Sequence, residues 1–304
     1  MNKRIIILLG LLTLLVACAE NETQTTATIT DREGYITTLP DEINNILSIG
    51  PSNTEILVAL GVSDKIIAVD MFSADVPGIS QDISMELSIF GLDAEYIVSL
   101  MPDVIFVADL ARAGDDDPLA IVAAAGITVI YIPPSDSIAA IMDDIQFIAT
   151  VMAVEETGKA IISTMQAEID EIKQIASTIT ITEVRSVYFE ISPAPWMFSF
   201  GRGTFLHEMI ELVGAVNIFA NQEGWIAVDG EFLLEADPDV ILTSTDFLDD
   251  AIADIVERPG FEAITAVQNG DVFQIDTNHS NRPSQNITKA LWEIARAVYP
   301  EYFQ

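Results

Sequence analysis

The stretch ILSIGPSNTEILVALG, residues 46–61, decides the fold. Its first four residues, Ile46–Ile49, form a mostly apolar run that ends at a Gly-Pro turn, as a buried strand does. An amphipathic segment, Glu55–Leu60, follows and is closed by Gly61, and glycine is common just past a helix end. The order of strand, turn and helix predicts an α/β unit.

The same order recurs along the chain. Further apolar runs predict strands at Ile66–Val69, Val104–Val107, Val129–Ile132, Val184–Glu190, Val240–Leu242 and Val272–Ile275. Helical patterns between them lie at Ala94–Leu100, Leu119–Ala125, Phe205–Leu212, Glu231–Glu235 and Ile287–Val298. Strands that alternate with helices predict mostly parallel sheets covered by helices, so the expected fold class is α/β.

A long helical pattern divides the chain at residues 155–178. Isoleucines recur there near helical spacing, and no glycine or proline follows Gly158. At about 1.5 Å per residue, a helix of this length spans roughly 30 Å, the width of a small domain. We therefore expect an N-terminal lobe at 44–154, a single linking helix at 155–178 and a C-terminal lobe at 179–304. Packing of the helix on the first lobe alone is the alternative.

The N-terminus has the layout of an export signal. Two basic residues precede an almost wholly apolar run, Ile5–Val16, which is too short to span a bilayer core of roughly 30 Å. The run ends in Leu15–Cys18, which resembles a bacterial lipobox, and Cys18 is the only cysteine of the chain. We expect a lipoprotein signal peptide at 1–17, and a lipidated Cys18 with a flexible tether and lead-in strand at 18–43. An ordinary signal peptide with an incidental cysteine is the alternative.

The charge balance limits the classes of partner. The 304 residues include 47 acidic and 13 basic side chains, for a formal net charge of -34, and half of the residues are hydrophobic. Such a chain can bury a core, and it repels nucleic acid and anionic membrane surfaces at long range. The acids are scattered, which favours a solvated acidic surface, for instance a salt adaptation, over a binding tract for cationic partners.

Several segments carry a resemblance to a known family. They are ILSIGPSNTEILVALG, DAEYIVSLMPDVIFV, SFGRGTFLHEMIELVGAVNIF with GWIAVDGEFLLEADPDVIL, and NRPSQNITKALWEIARAVYPE. In this order and spacing, they resemble the iron-complex and cobalamin substrate-binding proteins of ABC importers, in which one rigid helix joins two lobes. The resemblance covers nearly all of the chain after Thr30.

The resemblance implies a receptor without catalytic activity or intrinsic cofactor. It would capture a metal chelate in the cleft between its lobes and deliver it to a permease dimer with its cytoplasmic ATPase. In the family, one glutamate on each lobe docks on permease arginines, and these match Glu95 and Glu231. We expect an exported monomer held by lipid on the outer face of the cytoplasmic membrane or in a periplasm.

Ligand contacts are expected outside the carboxyl ends of the strands, where loops diverge. Aromatic side chains in such loops suit a planar or bulky ligand. The candidate contacts are Asn53, Phe72, Ile89, Trp196, Trp225, Asn278, His279 and Arg282. Burial under the edge of a lobe is the alternative for the aromatic residues. Asn53 is included because Ser52 and Glu55 fit a capping box, which would leave its side chain or nearby N–H groups available.

Two residues of the 278–282 segment have a chemical role implied by the family. Arg282 matches a position where siderophore binders often contact an anionic ligand, but Ser284-Gln285-Asn286 stands where a second arginine is frequent. A surface arginine or a cap contact is the alternative for Arg282. His279 is a possible axial ligand of haem iron or cobalt, and a loop histidine without metal is its alternative. His207, beside an apolar helical face, is expected to be structural.

Other functions fit the residues less well. An enzyme lacks support, since Gly201-Arg202-Gly203 is only a fragment of a dinucleotide motif and no Gly-x-Ser-x-Gly elbow occurs. A receptor for bare zinc would need more than the two histidines present, while a carboxylate-rich manganese site stays open. A surface lipoprotein without a small ligand also stays open. Among chelates, we expect a ferric siderophore or other iron complex first, with haem or a corrinoid such as cobalamin as the alternative.

Overall fold

The computed structural model describes residues 27–32, 34, 36–80, 82–88, 91–108 and 119–304. The predicted signal peptide, the lipidation site Cys18 and the candidate contact Ile89 lie outside the described residues. None of the helices in the described ranges has the length and hydropathy for a membrane span.

The N-terminal lobe holds a parallel sheet. A short hairpin of β1 (Thr28–Thr30) and β2 (Ile36–Thr38) precedes it. The described strands of the sheet are β3 (Ile46–Ile49), β4 (Ile66–Asp70), β5 (Ser84–Leu87), β6 (Val104–Ala108) and β7 (Thr128–Ile132). They lie in the order β5-β4-β3-β6-β7, and all neighbours are parallel. The helices are α1 (Pro51–Ala59), α2 (Ala94–Leu100), α3 (Ala120–Ala124) and α4 (Ile138–Val151).

The C-terminal lobe repeats this architecture. Its described strands are β8 (Ser186–Glu190), β9 (Phe198–Phe200), β10 (Val216–Asn217), β11 (Trp225–Ala227), β12 (Val240–Thr243) and β13 (Val272–Gln274). A parallel sheet has the order β10-β8-β12-β13, and β9 pairs with β11 in a separate antiparallel ribbon. The helices are α6 (Phe205–Leu212), α7 (Gly230–Ala236), α8 (Ala251–Val256), α9 (Thr265–Asn269), α10 (Thr277–Asn281) and α11 (Ile287–Val298).

One helix, α5 (Glu155–Ala176), joins the lobes. Its buried stripe, Met165, Ile169 and Ile172, belongs to a hydrophobic core that also contains side chains of α4, α6 and α11. Gly158 allows the close approach of α5 to α4, because a Cβ at this position would lie 2.6 Å from the Cβ of Ala149. The lobes therefore share one apolar core through the linking helix, which is consistent with the predicted two-lobe α/β fold.

Separate cores lie beneath the helices α2 and α7. One contains Ile97 of α2 together with buried residues of the five-stranded sheet. The other contains Leu233 of α7 with Ile241 of β12 and residues of α8 and α9. Each sheet thus packs on the shared core and on a core of its own lobe.

The predicted capping box at Ser52 and Glu55 is wrong. Helix α1 begins at Pro51, its N-cap is Gly50, and no side chain caps it. Gly50 has φ 110°, and a Cβ there would lie 2.8 Å from the Cβ of Ala108, so this turn requires glycine. The backbone conformation at Gly50 and the proline at the first helical position fix the start of the helix without a side-chain cap.

Candidate ligand site and docking surface

Three of the exposed aromatic side chains follow strands of the parallel sheets, and ligands of open α/β sheets bind outside the carboxyl ends of their strands. Phe72 follows β4, and Trp196 follows β8 with 77% of its surface exposed. Trp225, 61% exposed, is the first residue of β11 rather than a loop residue, and its strand pairs with β9. Phe247, 70% exposed, follows β12. Large exposed aromatic side chains suit contact with an apolar ligand surface.

Sequence reasoning missed Phe247. It lies in the loop after β12, within the acidic segment Ser244–Asp250, and nothing in the spacing singled it out. The loop is tied to α10, because Ser244 Oγ accepts a hydrogen bond from Asn281 Nδ2 at 3.1 Å. The available signal was an aromatic residue in the loop that follows a predicted strand of the second lobe.

The segment that contains α10 reaches from the C-terminal lobe to the N-terminal lobe. Asn278 Nδ2 donates to Asp75 Oδ2 at 3.1 Å. Arg282 donates through Nη2 to both carboxylate oxygens of Asp75, at 2.9 and 3.1 Å, and to the carbonyl of Phe72 at 3.3 Å. The structure therefore brings Asn278, Arg282 and the Phe72 backbone together at the contact between the lobes.

Arg282 lies between two carboxylates of the N-terminal lobe. In addition to Asp75, its Nη1 donates to Glu55 Oε1 at 3.2 Å, and only 13% of its side chain is exposed. Both contacts are with carboxylates of the opposite lobe. The sequence could not reveal this, because Arg282 and Glu55 lie 227 residues apart. The structure thus pairs Arg282 with two carboxylates, and its contact with a ligand stays a prediction.

Glu55 is the centre of this contact. Its side chain is 4% exposed, and its carboxylate also accepts from Asn286 Nδ2 at 2.8 Å and from the Ser284 hydroxyl. Gln285 Nε2 donates to the Glu55 carbonyl at 3.4 Å. Ser284 and Asn286, which stand in the segment where a second arginine was expected, are therefore hydrogen-bond donors to a buried carboxylate, and buried polar groups require such partners.

Two other predicted contacts are already engaged within their lobes. Asn53 is buried, and its Nδ2 donates to the Ile49 carbonyl at 3.1 Å, so its side chain is directed into the fold. His279 is a residue of α10 rather than of a loop, and its Nδ1 lies 2.7 Å from Glu293 Oε1. Because Nδ1 is occupied, a metal would have to bind at Nε2, an arrangement in which the carboxylate orients the imidazole.

His207 is buried in α6, where its Nδ1 lies 3.3 Å from Asn217 Nδ2 and its Nε2 lies 3.4 Å from Glu211 Oε1. This environment agrees with a structural role. Within the described ranges, no group of three or more His, Cys, Asp or Glu side chains is arranged to hold a metal ion.

A second arginine–carboxylate cluster lies at the carboxyl end of β8. Arg258 binds Glu190, through Nη2 to Oε1 at 2.8 Å and through Nη1 to Oε2, and it also binds Asp254. Burial opposes the charge of Arg258, but the hydrogen bonds that it donates to Glu190 and Asp254 raise its pKa above the ordinary value. Burial, and then the charge of Glu190, raise the pKa of Tyr188 well above its usual range. The cluster contacts Met197 Sδ at 3.4 Å and so supports the loop that carries Trp196.

The two predicted docking glutamates occupy equivalent positions. Glu95 is exposed in the first turn of α2, which Asp93 caps, and Glu231 is exposed in the first turn of α7, which Asp229 caps. Each helix ends at a left-handed residue directly before a Pro-Asp pair that opens a strand. The lobes thus repeat one helix–strand unit and present one carboxylate each.

The aspartate of each Pro-Asp pair makes the same kind of hydrogen bond in both units. Asp103 Oδ2 accepts from the N–H groups of Asn44 and Asn45 at 2.8 Å, just before β3. Asp239 Oδ2 accepts from the N–H of Ser186 at 2.7 Å, at the start of β8. Each aspartate ties its strand to the neighbouring central strand, which explains why the same residues occur in both lobes.

A cavity of about 660 Å³ lies elsewhere, between α4, α5 and α6. Its lining includes Met142, Ile169 and Leu212, and none of the predicted ligand contacts belongs to it. The exposed aromatic residues and the contact between the lobes are therefore not part of this cavity.

Comparisons with known proteins agree with this architecture. Residues 46–278 match the family described as periplasmic binding protein. The chain is 29% identical over 281 residues to an uncharacterized ABC transporter substrate-binding lipoprotein of Bacillus subtilis, covering 91% of this chain and 87% of that protein. It is 28% identical over 260 residues to a vitamin B12-binding protein of Vibrio cholerae, covering 84% and 89%.

A solved structure shows the same fold. The periplasmic heme-binding protein RhuT from Roseiflexus superposes with a TM-score of 0.74 at 23% identity, covering 85% of this chain and 99% of that one. Members of the matched family are the substrate-binding components of ABC transporters and act outside the cytoplasm together with a membrane permease and its ATPase. This chain belongs to the periplasmic-binding-protein family, and it is a solute receptor rather than an enzyme.

Proposed function

We propose that the solute is a large metal chelate without strong negative charge, and that a corrinoid such as cobalamin is the first candidate. The observation that carries this proposal is the pairing of Arg282 with Glu55 and Asp75. An anionic siderophore or the carboxylates of haem would have to compete with two protein carboxylates for this guanidinium.

The aromatic residues support the same class of ligand. Trp196, Trp225, Phe72 and Phe247 offer stiff apolar surfaces, which suit the faces and edges of a macrocycle. Asn278 supplies a polar group beside them at the contact between the lobes. Vitamin B12-binding relatives favour the corrinoid, while the heme-binding structure and the iron complexes expected from sequence provide the alternatives.

The ligand class is tested by titrating the protein with cyanocobalamin, haemin and ferric siderophores of different charge. Intrinsic fluorescence and melting temperature both report binding, and Trp196 and Trp225 are the expected reporters. The proposal predicts saturable quenching and a raised melting temperature with cyanocobalamin. Tighter binding of an anionic ferric siderophore would overturn the corrinoid assignment, and no response to any chelate would overturn the chelate assignment.

Glu95 and Glu231 are proposed as the docking carboxylates for permease arginines. The support is their equal position in the repeated helix–strand units and their exposure, since bidentate contact with arginine combines charge and geometry. Glu95→Lys and Glu231→Lys should abolish uptake in cells while leaving ligand affinity unchanged. Glu235→Lys, on an exposed position of α7, is the matched control and should leave uptake intact.

The anchor and the oligomeric state are also proposals. We propose that Cys18 is lipidated after removal of residues 1–17 and that the protein works as a monomer on the outer face of the membrane. Mass spectrometry of the mature N-terminus should find the lipid, and Cys18→Ala should release the protein from membranes. Light scattering of the released form should give the monomer mass, and a dimer mass would contradict this part of the proposal.

The domain boundaries at 44–154, 155–178 and 179–304 complete the proposal. They are supported by the two parallel sheets, with strands between residues 46 and 132 and between 186 and 274, and by α5 between them. Limited proteolysis should therefore spare residues 155–178, because α5 contributes to the shared core.

A further inference from the structure

We infer that Arg282 is a positioning residue that bridges the lobes: with Glu55 and Asp75 it sets the separation of the lobes in the ligand-free protein. The same pairing withholds its guanidinium from an anionic ligand. The second statement rests on the proposed function, whereas the first is a property of the chain alone. The two can therefore fail separately.

The bridge has a buried half and an exposed half. Glu55, 4% exposed, receives donors from Arg282, Ser284 and Asn286, all from one short segment of the C-terminal lobe. Asp75 is exposed and receives donors from Arg282 and Asn278. One arginine therefore contacts a carboxylate that cannot be rehydrated without a change of structure and another that remains in contact with water.

The bridge is separate from the attachment at the linking helix. Beside α5, Glu208 of the C-terminal lobe accepts a hydrogen bond from the N–H of Ile138, at the start of α4, at 2.8 Å. Two bodies joined along one helix can still bend and twist about it. A second attachment through Arg282 removes this freedom, so the cleft is held near one width before ligand enters.

The energetics favour an intact bridge. Separation of the lobes would leave the buried Glu55 carboxylate without its arginine, and an unpaired buried charge is strongly unfavourable. A ligand carboxylate that attracted Arg282 would impose the same cost. Glu55 and Asp75 therefore exclude anionic ligands from this point of the cleft and stabilise its width.

The experiment measures the separation of the lobes by pulsed electron paramagnetic resonance in the absence of ligand. The full chain carries Cys18→Ser, and spin labels are attached at Ile121→Cys in α3 and Glu235→Cys in α7, both exposed positions. Arg282→Gln should shift the distance distribution and broaden it. Asp75→Asn, at an exposed site where folding is not at risk, should broaden it in the same way but less.

Arg202→Gln is the matched control. Arg202 contacts Glu223 within its own lobe at 3.7 Å and is half exposed, so its loss should leave the distribution unchanged. Distributions of Arg282→Gln and Asp75→Asn that superimpose on the parent would overturn the inference. Circular dichroism and melting curves of each variant establish that the distances belong to folded protein.

Binding provides an independent readout. The parent and Arg282→Gln are titrated with cyanocobalamin and with haemin, which carries two carboxylates. The inference predicts that Arg282→Gln does not selectively weaken haemin. A selective loss of haemin affinity with an unchanged distance distribution would identify Arg282 as a ligand anchor and overturn it. If the parent binds neither compound, the ligand proposal fails, while the distance measurement still decides the role of the bridge.

Discussion

Arg258 and Arg282 have similar chemistry in two different places. Each contacts two carboxylates, and their side chains are 9% and 13% exposed. The carboxylate partners of Arg258, Glu190 and Asp254, lie in the C-terminal lobe, whereas the carboxylate partners of Arg282 lie in the other lobe. Ion pairs of the same kind therefore have two roles: the pairs of Arg258 stabilise the interior of one lobe, and the pairs of Arg282 hold the two lobes at a fixed separation.

The largest effect on stability is expected at Arg258. Arg258→Gln leaves the buried Glu190 without its bidentate partner, so the free energy of unfolding should fall by about 3–5 kcal/mol. Urea denaturation measures this loss. Asp254→Asn is the control and should cost less, because Asp254 is more exposed and Glu190 keeps its arginine. If Arg258→Gln lowered the free energy of unfolding by less than about 1 kcal/mol, the Arg258 cluster would not be the one that stabilises the interior of a lobe.

The bridge between the lobes should show energetic coupling. Glu55→Gln, Arg282→Gln and the double variant form a cycle, and residues that share a hydrogen-bonded pair usually couple by about 0.5–3 kcal/mol. The double variant should therefore be more stable than the sum of the single losses predicts. Urea denaturation of the four proteins gives the coupling energy. Additive losses would mean that the pair does not hold the lobes together.

Substitution of the two exposed tryptophans should weaken ligand binding without lowering the stability of the protein. Trp196→Leu and Trp225→Leu should each change the free energy of unfolding by less than about 0.5 kcal/mol, because both side chains are exposed. Each should weaken cyanocobalamin binding by about tenfold, or 1.4 kcal/mol.

Trp292 offers the matched control for these two variants. It lies in α11, packs edge-to-face on Phe303 at 6.1 Å between ring centroids, and is a partly buried residue packed against the shared core. Trp292→Leu should lower stability and leave affinity unchanged. Equal affinity losses for all three tryptophans would argue against a site at the strand edges.

A third arginine–carboxylate pair, Arg32 with Asp144, should give the smallest effect and a pH dependence. Burial raises the pKa of Asp144 above its ordinary value of 3.8, although hydrogen bonds from Arg32 and Ser135 oppose the shift. The contribution of Asp144 is thus fully present below about pH 3.8 and is lost as pH rises through the raised value. Urea denaturation between pH 3 and 7 should find Asp144→Asn gaining stability relative to the parent as pH rises. If the difference in stability between Asp144→Asn and the parent did not change with pH, the raised pKa of Asp144 would be contradicted.

The elements predicted most accurately are those with local signals. Strand β3 and the helices α2, α6 and α11 begin and end where the apolar pattern, glycine and proline indicate. Strands β6 and β12 also begin where the apolar runs predict them, each directly after a Pro-Asp pair. These features depend on neighbours in the sequence, so the residues alone contain the information.

The site depends on contacts that the sequence does not display. Glu55 fits a local capping box, yet its carboxylate binds residues 282–286, because a buried acid requires donors that only the folded chain brings to it. Glu190 and Arg258 are 68 residues apart and gave no signal as a pair. Aromatic residues after strands could be proposed as contacts, but their exposure emerges only from the packing of the lobes.

The central claim is that the solute enters a cleft whose lobes already stand near their binding separation. Small-angle X-ray scattering of the ligand-free and cyanocobalamin-saturated protein tests it most directly. A shared core along α5 and the bridge at Arg282 predict radii of gyration that agree within experimental error. A clear compaction on saturation would contradict the claim, because it would mean that the lobes stand apart until ligand draws them together.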